Sequence, residues 1–198
     1  MGKKTRKERE EKRESYAAKR SKEKRKNVLI ASAVLAGIAA IVIVSGYNFI
    51  NLDSSAPGAP PGAGVLGDEH EHVSMLVRIF TDKFDFSLPA YQIKNSWIHF
   101  EGQDGTTVHR HSQGVTLGYL FETLGLGINQ NCFIFQDGRE FCTNEDYSMK
   151  YYINHELVPE INDYVGKEGD RILISYGNED QDGIDAQLAE LDGQPILG

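Results

Sequence analysis

Seventeen consecutive residues, Val28 to Val44, carry no charge, and the uncharged run continues through Ile50. A segment this long and apolar has few folding options. As a helix rising 1.5 Å per residue, about 23 residues reach roughly 34 Å, enough to cross a hydrocarbon core of about 30 Å. The flanks strengthen that reading. Residues 1 to 26 hold 13 Lys/Arg and 5 Asp/Glu, a net of +8, whereas the rest of the chain holds 8 and 24, a net of −16. Basic residues before a span favour the cytoplasmic side, so the arm (1–27) is expected in the cytoplasm and everything after the span (28–50) outside the cell. The chain is thus expected to be a single-pass protein of the cell membrane. A cleaved signal peptide is the competing reading, with "SSAPGAP" (54–60) as the place for a cleavage site.

The arm has many Glu–Lys/Arg pairs three and four residues apart and is compatible with a polar helix. Tyr16 is its one aromatic residue, so it lacks the rings that nucleic-acid recognition would interleave with the charge, and no nucleic-acid partner is expected. Residues 51–69, rich in Pro, Gly and Ser, are expected to be a linker. The folded domain is expected over 70–178, followed by an acidic tail or helix (179–198) with Ile184, Leu188 and Leu191 on one face. The tail begins like a calcium loop, but Ala189 stands where the bidentate Glu belongs, which argues against calcium.

Within the domain most segments read as strands. Residues 72–80, 96–101 and 106–111 are expected as strands, and the turn chemistry of "GQDGTT" (102–107) joins the last two as a hairpin. One helix is expected, N-capped by Thr116, with Leu117, Leu120, Phe121 and Leu124 as its apolar stripe and Gly125 as its stop. Further hairpins are expected at 132–142 and 149–161, the latter turning at Asn154–His155, and a last strand at 170–177. The fold class that results is α+β, a mainly antiparallel sheet with one packed helix, preceded by a transmembrane helix. The final strand–"YVGKEGD"–strand passage is similar to β-grasp domains over the last third of the domain.

The two cysteines constrain the hairpin between them. If Gly138 takes the left-handed position of a three-residue loop, Phe135 faces Arg139, Phe133 faces Phe141, and Cys132 faces Cys142. A disulfide is then expected, with Phe133, Phe135 and Phe141 on the core side. A two-residue turn centred on Asp137–Gly138 would offset the cysteines. Thiol–disulfide catalysis needs an activated thiolate, usually in Cys-x-x-Cys at a helix start, and neither cysteine has that setting.

Five of the six histidines lie between His70 and His111, four of them in His-x-His pairs. Alternate strand residues share a face, so His70 with His72, and His109 with His111, point the same way. If their strands are neighbours, the imidazoles converge, and His99 and Glu101 on the hairpin partner join them. Such a set suits Zn or Cu, with Glu101 as an oxygen ligand or general base. If the strands are apart, these are solvated faces of acidic strands. Ser112 and His111 do not form a triad, since adjacent strand residues point to opposite faces. No catalytic residue is assigned.

The stretches "HEHVSMLVRIFTDKFDFSLPAYQ", "IHFEGQDGTTVHRHSQGVTLGYLFETLG", "CFIFQDGREFC" and "YVGKEGDRILISYGNED" resemble a group of archaeal, single-span, exported proteins, many named protein-disulfide isomerases. The resemblance covers about Glu69 to Asp180. It implies an archaeal cell-surface protein and carries over no catalytic residues. Thiol–disulfide exchange through Cys132 and Cys142 is the enzymatic alternative, although no Cys-x-x-Cys is present. The remaining alternative is a non-catalytic subunit of a cell-envelope complex with a protein partner.

Overall fold

A computed structural model describes residues 2–50 and 58–198, with side chains for 7–47 and from 58 onward. The expected linker residues 51–57, and most of the expected cleavage segment, lie outside the described residues. The chain divides into two compact units, 1–53 and 54–198.

The first unit is one helix, α1 (Gly2–Ile50), so the polar arm and the apolar run form a continuous element. It is long and apolar enough to cross a membrane.

The second unit contains ten strands: β1 (Glu71–Ile79), β2 (Asp82–Lys83), β3 (Ile98–His99), β4 (Thr107–Arg110), β5 (Gly127–Ile128), β6 (Cys132–Ile134), β7 (Glu140–Cys142), β8 (Ser148–Ile153), β9 (Glu156–Val158) and β10 (Arg171–Gly177). Among the described residues two α-helices, α2 (Leu117–Thr123) and α3 (Gln181–Asp192), and one short 3-10 turn (Pro89–Tyr91) accompany them. The main sheet runs β3-β4-β1-β10-β8-β9, with β2 folded back on β1. Only the central β1/β10 pair is parallel; every other pairing in it is antiparallel.

Strand alternation sorts β1 between two layers. Val73, Met75, Val77 and Ile79 enter the larger core, where Leu117, Leu120 and Phe121 of α2 and Phe133 of β6 meet them. Thr116 caps α2 by accepting from the Tyr119 N–H, and Gly125 follows with φ +70°, as expected from the helix signals. Leu76 faces the other way and joins Leu173 with Ile184, Leu188 and Leu191 of α3. The acidic tail is therefore a helix packed on the domain. Asp180 accepts from the Gly183 N–H at its start, so the calcium-like acids serve as a helix cap. Arg171 donates to the Leu191 carbonyl at its end (2.6 Å), and Arg78 pairs with Glu190 on its flank.

From Gly58 onward the Pro/Gly-rich segment lies against the domain instead of standing free. Pro60 is buried, Ala59 and Ala63 pack on the core, and the Gly64 N–H donates to the Gln113 carbonyl (2.9 Å). Small side chains permit this close backbone approach.

The hairpin β6–β7 has the expected register, Cys132 opposite Cys142, Phe133 opposite Phe141 and Ile134 opposite Glu140. Gly138 takes φ +83°, and the Phe135 N–H donates to the Arg139 carbonyl (2.8 Å). Cys132 and Cys142 form a disulfide. Closing a loop of about 11 residues stabilises by roughly 3 kcal/mol in the chain-entropy model. The double variant Cys132→Ser/Cys142→Ser is accordingly expected to lose about that much stability in denaturant melts; an unchanged midpoint would show that the bridge does not stabilise the fold.

Candidate metal centre

α3 does not span the whole width of the sheet face that carries it; beyond it the segment after the helix continues over the face, the Leu197 N–H donating to Thr107 Oγ1 (3.1 Å). Along β1, Leu76 lies beneath α3, Ser74 beneath Gln194 just past the helix (the Gln194 amide N–H donates to Ser74 Oγ, 3.1 Å), and His72 against Gly198. Here the strand order answers the question posed by the two His-x-His pairs. β1 and β4 are neighbours, with His72 directly opposite His109, and β3 is the next strand, with His99 opposite His109 on its other side. Three imidazoles thus stand in a row across three strands. His70 and His111 extend the grid, their ring centres 4.5 Å apart. The His70–His72 and His72–His109 centres are 4.7 and 4.9 Å apart.

His70, His72 and His109 each bring one ring nitrogen within 4.8 Å of the others, so this triad could hold a metal ion. His99, His111 and Glu101, also expected from the sequence, adjoin it. The His99 and His111 rings are 5.0 Å apart, and the two oxygens of Glu101 lie 3.3 Å from His99 Nε2 and 3.7 Å from His109 Nδ1. All six residues expected at the site are therefore gathered on one face. His155 is not: it sits in the β8–β9 turn at φ +71°, paired with Asp192 (3.0 Å).

Residues that the sequence did not flag orient the rings. Glu168, in the loop before β10, accepts from the His72 backbone N–H (2.7 Å) and contacts His72 Nδ1 (3.1 Å). The Asn95 carbonyl accepts from His99 Nδ1 (2.7 Å). A proton on Nδ1 leaves the lone pair of a neutral imidazole on Nε2, and a carboxylate behind a histidine in this way raises its basicity as a ligand. His72 Nε2 and His109 Nδ1 are buried without a hydrogen-bond partner. A buried polar atom with no partner is costly, and a bound cation would satisfy it. The sequence signal for Glu168 was absent: it is one acid among many, 96 residues from His72.

Burial, followed by the nearby His99, His70 and His109, pushes the His111 imidazole down to about 4. Burial likewise holds His109 below its usual range. For Glu101 burial acts in the opposite direction, but the His99 hydrogen bond and the surrounding histidines keep the carboxyl below its ordinary value. The unfolded chain takes up the His111 proton near pH 6.5 and the folded one only near pH 4, so stability falls as pH drops through that window. NMR titration of the metal-free protein should show His111 still neutral at pH 5; a midpoint near 6.5 would contradict the burial argument.

No family model, curated protein or solved structure matches the chain.

Proposed function

We propose that this protein is a membrane-anchored domain on the outer side of the cell membrane that binds a transition metal, Zn(II) or Cu(II), through its clustered histidines. The observation that carries the reading is His72. Its Nδ1 is held by the Glu168 carboxylate, and its Nε2 is left unpartnered and buried beside His70 and His109. That is the arrangement of a ligand with its orienting partner. Nitrogen and carboxylate donors without thiolate suit Zn(II) or Cu(II). The Lys/Arg-rich arm before the apolar segment supports a cytoplasmic N-terminus, and a disulfide accords with an oxidising exterior. Thiol–disulfide exchange is the weaker reading, because Cys132 and Cys142 face each other across a hairpin with no helix start to activate a thiolate.

The test is metal retention. Full-length protein in detergent, stripped with chelator, supplied with Zn(II) or Cu(II) and desalted, is expected to keep at least one ion per chain. Retention of none removes the proposal.

A further inference from the structure

Six ligand-type side chains on one face are more than a single four-coordinate ion can use. Their layout also divides. His70, His72 and His109 bring their ring nitrogens together, whereas His99 stands on the far side of His109, two strands from His72. At about 4.8 Å per strand, the backbones of His72 and His99 are roughly 10 Å apart. One ion at about 2.1 Å from both ring nitrogens would need both side chains to lean strongly toward each other.

The second half of the face is built around the contact between His99 and Glu101. His99 Nδ1 donates to the Asn95 carbonyl (2.7 Å), so the neutral ring presents its Nε2 lone pair outward. That lone pair faces a carboxylate oxygen of Glu101 at 3.3 Å. A proton on Nε2 makes this contact the hydrogen bond described above, and a metal ion can take that proton's place between the same two atoms. In a tetrahedral shell with ligand bonds of about 2.0–2.1 Å, neighbouring donors are about 3.3 Å apart. The His111 ring lies 5.0 Å from His99 and 4.5 Å from His70, within reach of either half. Glu101 divides its oxygens, Oε2 toward His99 and Oε1 toward His109. The His109 ring, only 5 % exposed and with Nδ1 unpartnered, stands between the two halves.

We propose that the histidine face is a two-ion centre, with a first ion on His70, His72 and His109, a second on His99 and His111, and the Glu101 carboxylate bridging them. This rests on the metal-binding reading above and extends it. Paired ions in proteins stand about 3.5–4 Å apart, a separation that a bridging carboxylate matches. The ligand class is a pair of divalent borderline cations, Zn(II) or Cu(II).

Titration of chelator-treated, full-length protein in detergent with Zn(II), followed by calorimetry and elemental analysis, reads the stoichiometry. Two ions per chain are expected for the natural sequence. Glu101→Gln is expected to retain one, and so is His99→Ala. Loading with Cu(II) adds an independent readout, since two ions this close couple magnetically and the spin resonance signal per copper falls; in Glu101→Gln it should return to that of an isolated ion. The half-exposed Glu101 makes its variant safe for folding even if His99→Ala is not. One ion per chain, unchanged in Glu101→Gln, would overturn the two-ion proposal and leave the single-ion reading standing. No ion at all would remove both.

Discussion

Replacing His72 by alanine is expected to weaken binding of the first metal ion by more than about 100-fold. The scale comes from orienting partners: removing a group that merely holds a ligand costs about 10–100-fold in affinity. His72 is argued to be the ligand itself, so its loss should exceed that range, and Glu168→Ala should fall within it. His109→Ala should be at least as damaging as His72→Ala, because its ring lies between His72 and His99 in the strand register. Both rings stand at the margin of the α3 layer, outside the two apolar cores. Thermal melts of the metal-free variants are run alongside, so that lost affinity is told from lost fold; His109→Ala, at a buried position, is expected to cost more stability than His72→Ala. Competition titrations against a chelator of known affinity measure the loss. Unchanged affinity in both alanine variants would mean that any bound metal lies elsewhere.

Phe133→Ala is the substitution expected to cost most in stability, about 3–5 kcal/mol. The ring is fully buried on β6, with Phe135, Phe121 and Phe84 centred 5.3, 5.8 and 6.0 Å away. It fastens the small β5–β6–β7 sheet to α2 and the main sheet. Truncation leaves a cavity among aromatic groups too large to collapse around a methyl. For a domain of this size the melting temperature should fall by about 10 °C. Metal stoichiometry below the transition should be unchanged, because Phe133 belongs to the layer opposite the histidine face. A melting temperature within a degree or two of the parent would show that the small sheet contributes little. A lost ion in a folded variant would show that the two faces are coupled.

Some of this was legible locally. Gly138 is the one residue in the hairpin loop that tolerates a left-handed backbone at no cost, and that choice set the register, the disulfide and the aromatic face together. Thr116 and Gly125 marked the ends of α2 because caps act within one turn. The strands β2 and β5 were not legible: each is two residues long, too short for any period to appear. Nor was Asn95, whose contribution is a backbone carbonyl that every residue possesses.

By itself the sequence determined the long apolar helix, the stapled hairpin and the pairing of histidines on alternate positions, since each follows from length, turn chemistry or strand period over a few residues. Strand order is a different kind of information. Whether His72 lies beside His109 depends on which strands associate, and period-two alternation is the same for every order. Only the tertiary structure set β1 beside the expected β3–β4 hairpin, ended α3 short of the histidines and brought Glu168 behind His72 from across the chain. Those contacts are set by packing among segments distant in sequence, which decides here whether five imidazoles scatter or gather on one face.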